Sequence, residues 1–409
     1  MIIERNFGKC SFALTLLGFL LYLSDIGTDL GVAAVYLIDG HFFRFSLVLS
    51  VILVSAIILQ SFSWSWYKDD ENSSHGTHAR GCSSLFGALH IFQMGVLLRF
   101  IETLKYGYKA AFKKEETIMD AIYSATDLSM LRLFEAFLEA VPQAVLQGFI
   151  LLIDNNGKYI QYVSVILSCM SISWATLDYY AALKRSLPDH PTLICGLPYL
   201  LYYLYKLLTL SARILLITLL ATIDIIIMTV YLFVLWLIMI FYVLVQKTNF
   251  CTSKIQEVIY RAVVAIILVF TFFNIKDKNT RIIMPIYYVL RCVETVAVLA
   301  ICWSKKCSTD VKSYHLPVSI TIVLSLTLGI ICLVLYYSCS HPKRATDRDF
   351  NHTDNAVESS LSYDEVDGPP KENSTVIPKN KNENSIMINS ADTRSGNVNY
   401  RIKNFLIIN

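Results

Sequence analysis

The sequence predicts an all-α membrane protein with eight transmembrane helices plus two re-entrant half-helices in two pseudo-symmetric repeats, followed by a disordered cytosolic C-terminal tail. Of the 409 residues, 55% are hydrophobic and only 16% are charged, and the mean hydropathy is +0.51. Soluble domains carry about 25% charged residues. Several apolar windows also exceed the roughly 18–20 residues that a helix needs to cross a bilayer.

Ten apolar segments precede the tail. They lie at 12–37, 43–67, 85–101, 118–153, 160–182, 200–221, 224–246, 256–274, 283–303 and 315–338. With the N-terminus in the cytosol, a crossing at 85–101 would place the most basic loop, 105–114, outside the cell, against the positive-inside rule. Likewise, Lys276, Lys278 and Arg281 stay cytosolic only if 256–274 does not cross. Both segments are therefore predicted to be re-entrant half-helices.

This topology divides the chain into three regions. Residues 1–190 form a first membrane repeat and 191–342 a second, each with the order span, span, half-helix, span, span. The order predicts two halves related by an axis along the membrane normal, as in transporters built from parallel repeats. Residues 343–409 form a cytosolic regulatory tail, so both termini of this multi-pass protein are expected in the cytosol.

Charged residues occur where lipid is expected. A charge at the centre of a spanning helix costs about 2.5–3.5 kcal/mol on insertion scales, so each one needs a physical reason. The candidates are Asp25, Asp29, Asp127, Arg132, Glu135, Glu139, Asp178, Arg213, Arg291 and Glu294. Asp25 and Asp29 are four residues apart, as are Glu135 and Glu139, so each pair shares one face of its helix.

Two interpretations of these charges stay open. They could be buried ion pairs that hold helices together, with Arg132 paired to Glu135 or Arg291 to Glu294. They could instead line a hydrated polar track. A buried ion pair can be replaced by apolar packing at little cost, so the number of charges favours the track. Carboxylates in it could bind choline or amino groups, and the arginines could bind phosphates.

Several kinds of chemistry have no motif in this chain. There is no phosphate-binding loop, dinucleotide fingerprint, nucleophile elbow or metalloprotease helix. We therefore expect no enzyme activity and no cofactor, and any transport should run down a gradient. His75, His78 and Cys82 supply only three nearby ligands, too few to predict a metal site. The net charge of +3, without a basic cluster, predicts no nucleic-acid partner.

The polar tail contains a protease recognition sequence. It consists of Asp364, Glu365, Val366, Asp367 and Gly368. Executioner caspases cut after Asp-Glu-Val-Asp when a small residue follows, and they need an extended, accessible backbone. Pro369 and Pro370 oppose helix immediately downstream, and the composition of 343–409 is typical of disorder. The tail therefore predicts cleavage after Asp367.

The membrane part of the chain resembles the XK-related family. The resemblance rests on the stretch 125–143 (ATDLSMLRLFEAFLEAVPQ), on 172–180 (ISWATLDYY) with 184–189 (KRSLPD), and on 270–276 (FTFFNIK). It covers about residues 11–342. With the tail site, it points to the caspase-activated phospholipid scramblase branch of the family.

The resemblance implies a plasma-membrane phospholipid scramblase that exposes phosphatidylserine in apoptosis. Its implied partners are phosphatidylserine, phosphatidylcholine, phosphatidylethanolamine and an executioner caspase, and a single-span accessory subunit is left open. The ten intramembrane charges would line the headgroup path. The family also implies a C-terminal segment that docks on the cytosolic face and inhibits the protein. Candidates for that segment, which could alternatively be a weak membrane anchor, are Tyr400, Phe405, Leu406, Ile407 and Ile408.

Two other classes of function fit the same sequence. A passive or secondary transporter of small charged solutes would use the same polar track. A scaffold that only anchors partners would not depend on the track at all. Neutralising Asp25, Asp29, Glu135 and Glu139 therefore distinguishes a scaffold from the scramblase and the solute transporter.

Overall fold

The computed structural model is built from α-helices, and the part of the chain that it describes contains no strand. It describes residues 7–73, 87, 90, 94–113, 118–154, 157–186, 196–246, 251, 253–272, 280–306 and 314–339. The helices are α1 (Lys9–Ile38), α2 (Phe42–Ser73), α3 (Gly95–Tyr108), α4 (Ile118–Glu135), α5 (Val141–Ile153), α6 (Tyr159–Ser186), α7 (Leu197–Ile223), α8 (Ile225–Val245), α9 (Lys254–Phe270), α10 (Thr280–Lys306) and α11 (His315–Cys339). Helix α3 continues into a π-helical turn, Lys109–Lys113, and a second π-helical turn, Ala136–Ala140, joins α4 to α5.

Eight helical segments of this part of the chain are long and apolar enough to cross a membrane. Helices α4 and α5 count as one of them, Ile118–Ile153. The two remaining helices lie where half-helices are predicted. Helix α9 has 17 residues, about 26 Å of helix against a hydrocarbon core of about 30 Å. Helix α3 carries Arg99, Glu102 and Lys105 within 14 residues and shares only residues 95–101 with the predicted segment. With its π-helical turn it reaches Lys113, so the prediction of a loop at 105–114 is wrong for most of that stretch, because the basic residues continue the helix.

The distribution of side chains is the reverse of that in a soluble protein. Asp25 and Asp29 are 4% and 2% exposed, whereas Ile226 and Phe241 are 74% and 70% exposed. Helix α8 illustrates the outer surface, since nearly all of its side chains are apolar and only Val243 is buried. Apolar surfaces of this extent mark contact with a membrane or a partner. The fold therefore turns its apolar faces outward and keeps its charges between helices.

Helix neighbours follow a similar order in the two predicted halves. Helix α1 packs against α2 and α6, and α7 packs against α8 and α11. Helices α5 and α6 also pack against α7 and so join the two halves. The two-fold repeat, with its boundaries at 1–190 and 191–342, stays a prediction.

Candidate functional site

A line of polar contacts runs along the interface between α1 and α6. From the α5–α6 connection inward, the contacts are Gln161 Nε2 to Tyr36 Oη at 2.6 Å, Ser164 Oγ to Asp29 Oδ1 at 2.9 Å, Ser168 Oγ to Asp25 Oδ1 at 2.9 Å, and Arg132 Nη2 of α4 to Ser171 Oγ at 3.1 Å. We call these eight residues the polar ladder. All of them are buried, so the ladder lies between helices and not on their lipid face.

The spacing of the polar residues along α6 produces the ladder. Its four members there are Gln161, Ser164, Ser168 and Ser171, at positions i, i+3, i+7 and i+10. That spacing places all four on one face of a helix. The order of contacts shows that α1 and α6 are antiparallel, because residues descending along α1 meet residues ascending along α6. The sequence interpretation found the aspartates but missed the serines, although this spacing was visible.

Arg132 ends the ladder inside the bundle. Its guanidinium forms an ion pair with Glu135, one turn along α4, and its Cζ lies 4.6 Å from the centroid of the Tyr22 ring. Arg132 is 4% exposed and Glu135 is 3% exposed. The ion pair between Arg132 and Glu135, expected if the charges hold helices together, is therefore present.

Glu139 enters the same region from the π-helical turn between α4 and α5. Its Oε2 accepts a hydrogen bond from Ser55 Oγ of α2 at 2.6 Å. Pro142 follows three residues later and lacks the N–H that would bond the Leu138 carbonyl in a regular α-helix. A π-helical turn next to a proline is a recognised response to such a gap, and π turns recur at functional sites.

The region around the ladder has an excess of acidic groups. It holds four of the predicted carboxylates, Asp25, Asp29, Glu135 and Glu139, and one predicted guanidinium, that of Arg132. Asp29 lies within electrostatic range of Asp25 and Glu139. Serine hydroxyls donate hydrogen bonds to three of the four carboxylates. These bonds matter because burying a carboxylate without a hydrogen-bond partner costs free energy. A cationic group such as an amine or a choline would find favourable charge here.

A second charged cluster lies between α7, α8 and α10. Arg213 Nη2 is 3.1 Å from Glu294 Oε1, and Arg291 Nη1 is 2.6 Å from Glu294 Oε2. Tyr231 Oη donates to Glu294 and accepts from Arg213 Nη1 at 2.9 Å. These contacts match the interpretation of the charges as buried ion pairs that hold helices together, since both arginines share one carboxylate.

Two cations also cover the C-terminal end of α9. Arg291 Nη2 donates to the carbonyls of Leu268 and Val269. Lys206 Nζ donates to Thr271 Oγ1 at 2.9 Å and to the Phe272 carbonyl at 3.1 Å. Helix C-termini leave carbonyls without intrahelical partners and carry partial negative charge. Lys206, which is 1% exposed, escaped the sequence interpretation because it lies in an aromatic stretch with no carboxylate beside it.

The other predicted path residues lie apart from these clusters. Asp127 is 3.8 Å from Arg99 of α3. Asp178 lies within electrostatic range of Arg185 and Arg132, toward the far end of α6. Nine of the ten predicted residues therefore fall in a ladder region, a cluster on α7 and α10, and a contact between α3 and α4, and Asp178 lies outside all three.

No group of three or more His, Cys, Asp or Glu side chains within the described ranges could hold a metal ion. His75, His78 and Cys82 fall outside those ranges, so the expectation of no metal site there stays a prediction. The tail predictions fall outside them too. They concern Asp364, Glu365, Val366, Asp367, Gly368, Tyr400, Phe405, Leu406, Ile407 and Ile408.

A family model described as XK-related protein matches residues 13–342, most of the chain. The chain belongs to the XK-related family. It is 35% identical over 357 residues to XK-related protein 9 of Tetraodon nigroviridis, covering 83% of this chain and 93% of that relative. It is 33% identical over 354 residues to XK-related protein 8 of Pan troglodytes, covering 84% and 87% of the two chains. The resemblance in the sequence is thus confirmed, with XK-related protein 9 among the relatives.

Proposed function

We propose that this XK-related protein is a phospholipid scramblase that exposes phosphatidylserine in apoptosis after caspase cleavage at Asp367. Headgroups would move along the polar ladder once α1 and α6 separate there, while acyl chains stay in the lipid. The ladder would act without cofactor or nucleotide, so lipids would move down their gradient. Phosphatidylcholine and phosphatidylethanolamine would share the route, because the groups of the ladder recognise charge and not one particular headgroup.

The observation that carries this proposal is the buried polar ladder itself. Within the described ranges its aspartates accept hydrogen bonds from serine hydroxyls and form no ion pair at contact distance, although Arg132 lies within electrostatic range of Asp25. The serine contacts can therefore be exchanged without separating an ion pair. A helix interface built only for stability could use apolar packing at little cost. The ladder also extends along about half of α1, from Tyr36 to the level of Tyr22, roughly 21 Å of helix against a hydrocarbon core of about 30 Å.

The switch rests on the tail sequence. Asp364–Gly368 matches the preference of executioner caspases, and the apolar residues near the C-terminus suit an inhibitory plug that cleavage would release. A cytosolic caspase can reach the site only if the tail is cytosolic, so the proposal includes cytosolic N- and C-termini and residence in the plasma membrane. A single-span accessory subunit remains a proposed partner.

The test is annexin staining of cells that lack endogenous apoptotic scramblases and express the chain truncated after Asp367. We expect constitutive phosphatidylserine exposure from the truncated chain and none from the full-length chain. Surface biotinylation verifies that both reach the plasma membrane. A truncated chain that reaches the surface, with or without a co-expressed single-span subunit, and exposes no phosphatidylserine would contradict the proposal.

A passive or secondary transporter of small charged solutes is the alternative. The excess of acidic groups at the ladder would serve a solute amine as well as a headgroup amine. Uptake of labelled amino acids by the truncated chain, without lipid movement, would favour this alternative.

A further inference from the structure

Helix α3 and the π-helical turn that follows it have one buried face and one exposed face. The buried face packs against α1, α2 and α4 and contains Val96, Phe100, Thr103 and Ala110. On the exposed face, Ile101, Tyr108 and Phe112 are 55%, 48% and 48% exposed. Large exposed apolar side chains grouped in this way mark contact with a membrane or a partner.

Lysines accompany the apolar side chains on the exposed face. Lys105 and Lys113 are exposed and Lys109 is half-buried. Side chains four residues apart are neighbours on the surface of a helix. Four-residue steps nevertheless drift around a regular α-helix, which has 3.6 residues per turn. The π-helical turn at Lys109–Lys113 holds more residues per turn and counteracts this drift, so the three lysines form one stripe.

This stripe lies at the level where the first span begins. Phe12, in the first turn of α1, has its ring centroid 6.2 Å from that of Tyr108 and 5.7 Å from that of Phe112. Lys9 Nζ lies 5.5 Å from the centroid of the Phe112 ring. Aromatic residues are enriched at the level of the lipid headgroups. With the N-terminus in the cytosol, as the proposed function requires, the stripe lies at the cytosolic face of the membrane.

The charge of this surface is predominantly positive. Glu102 is the single acidic residue in the sequence from 95 to 113. The stripe holds three lysines, and Lys9 adds a fourth. Arg99 is not part of this surface, because its guanidinium turns inward and donates hydrogen bonds to Ser63. A group of four basic residues next to a spanning helix is attracted to anionic lipids.

We propose that this surface binds phospholipids of net negative charge in the cytosolic leaflet. We call it the lysine surface, and it is formed by Lys9, Ile101, Lys105, Tyr108, Lys109, Phe112 and Lys113. The ammonium groups lie among the headgroup oxygens, and the apolar side chains lie among the upper acyl carbons, as in an interfacial helix. The surface recognises net charge, so phosphatidylglycerol and phosphatidylserine should bind alike. It lies outside the polar ladder, and it rests on the proposed function only for its placement on the cytosolic side.

Quenching of tryptophan fluorescence by brominated lipids tests the lysine surface. The full-length Tyr108→Trp variant is reconstituted in vesicles of phosphatidylcholine with a fixed minor amount of phosphatidylglycerol. Equal amounts of bromine are carried on the acyl chains of one lipid or of the other. The control reporter is Phe233→Trp, because Phe233 is 53% exposed on α8, which has no charged side chain between Ile225 and Val245. The parent chain corrects for the native tryptophans.

We expect brominated phosphatidylglycerol to quench Tyr108→Trp severalfold more than brominated phosphatidylcholine does. The two lipids should quench Phe233→Trp equally. Changing Lys105, Lys109 and Lys113 together to glutamine should abolish the preference at Tyr108→Trp, and changing all three to arginine should retain it. The arginine variant shows that a loss in the glutamine variant comes from the charge.

Two results would overturn the lysine surface as a lipid site. One is equal quenching of Tyr108→Trp by both lipids, and the other is a preference that survives the three glutamines. The rival occupant is the tail stretch 354–367, which has five carboxylates and no Lys or Arg. A lipid preference that appears only after these carboxylates are changed to amides would assign the surface to the tail and overturn the proposal.

The quenching assay needs no lipid movement, so it separates this proposal from the proposed function. Equal quenching beside constitutive annexin staining of the truncated chain would reject the lysine surface alone. Preferential quenching beside a negative annexin result would support the lysine surface and reject the scramblase.

Discussion

Ser168 Oγ donates a hydrogen bond of 2.9 Å to Asp25 Oδ1 in the middle of the interface between α1 and α6. Both side chains are almost wholly buried. The contact joins a carboxylate to a neutral donor, whereas Arg213 and Arg291 share Glu294 as ion pairs. The intramembrane charges thus fall into two kinds, and the predictions below treat them separately.

Asp25→Asn tests the ladder. Asparagine keeps the size of the side chain and an acceptor for Ser168 but removes the negative charge, so the protein should fold and the truncated chain should lose most of its scrambling. The measurement is annexin staining together with size-exclusion chromatography. Asp224→Asn is the control, because Asp224 caps α8 through the amides of Ile226 and Ile227 and asparagine is an equally good N-cap. A scaffold would be indifferent to both changes.

Arg132→Met should destabilise the fold by roughly 3–5 kcal/mol, because it leaves Glu135 buried without its partner. The double variant Arg132→Met, Glu135→Leu should recover most of that loss, since apolar packing can replace a buried pair. Thermal unfolding in detergent gives the comparison. If the double variant is no more stable than the single variant, Arg132 stabilises the fold through its contacts with Tyr22 and Ser171 and not through Glu135.

Lys206→Met should lower stability by about 1–3 kcal/mol, because the Thr271 hydroxyl and the Phe272 carbonyl lose a charged donor. Lys254→Met at the opposite end of α9 is the matched control. Lys254 is exposed at the N-terminal end of the helix, where a cation is not stabilising. Equal unfolding temperatures for the two variants would contradict the role of Lys206 at the end of α9.

Gly329→Ala should weaken the packing of α11 on α7. A Cβ at this position would lie 2.7 Å from Thr209 Cγ2 and 3.2 Å from the Thr209 backbone nitrogen, so the Thr209 side chain or one of the two helices must move. Gly27→Ala in α1 is the control, because its Cβ would meet no atom within 4 Å and alanine favours helix by about 0.5–1 kcal/mol. Unfolding temperatures should therefore change in opposite directions.

Asp367→Ala should abolish cleavage by executioner caspases and keep phosphatidylserine inside apoptotic cells. Asp354→Ala, an equal change of charge in the same tail, should leave both unaffected. Immunoblots with an N-terminal tag follow the fragment, and annexin staining follows exposure. Persistent exposure in uncleaved Asp367→Ala cells would rule out the proposed switch.

The sequence by itself determined the number of spans, the two shorter helices and the family. These depend on local properties, namely the apolar content of 20-residue windows, the number of basic residues in each connection and the similarity of long motifs. It also located most of the charges that lie between helices, though not Lys206, because an unpaired charge is costly in lipid.

Only the tertiary structure decided which partner each charge has. Pairing depends on the rotation and register of helices that are far apart in sequence, and long-range packing sets both. Asp25 thus meets a serine 143 positions away, Lys206 meets the end of α9, and Arg213 and Arg291 converge on Glu294 away from the ladder. The sequence of a spanning helix shows where its charges are, but the packing of neighbouring helices determines which groups those charges contact.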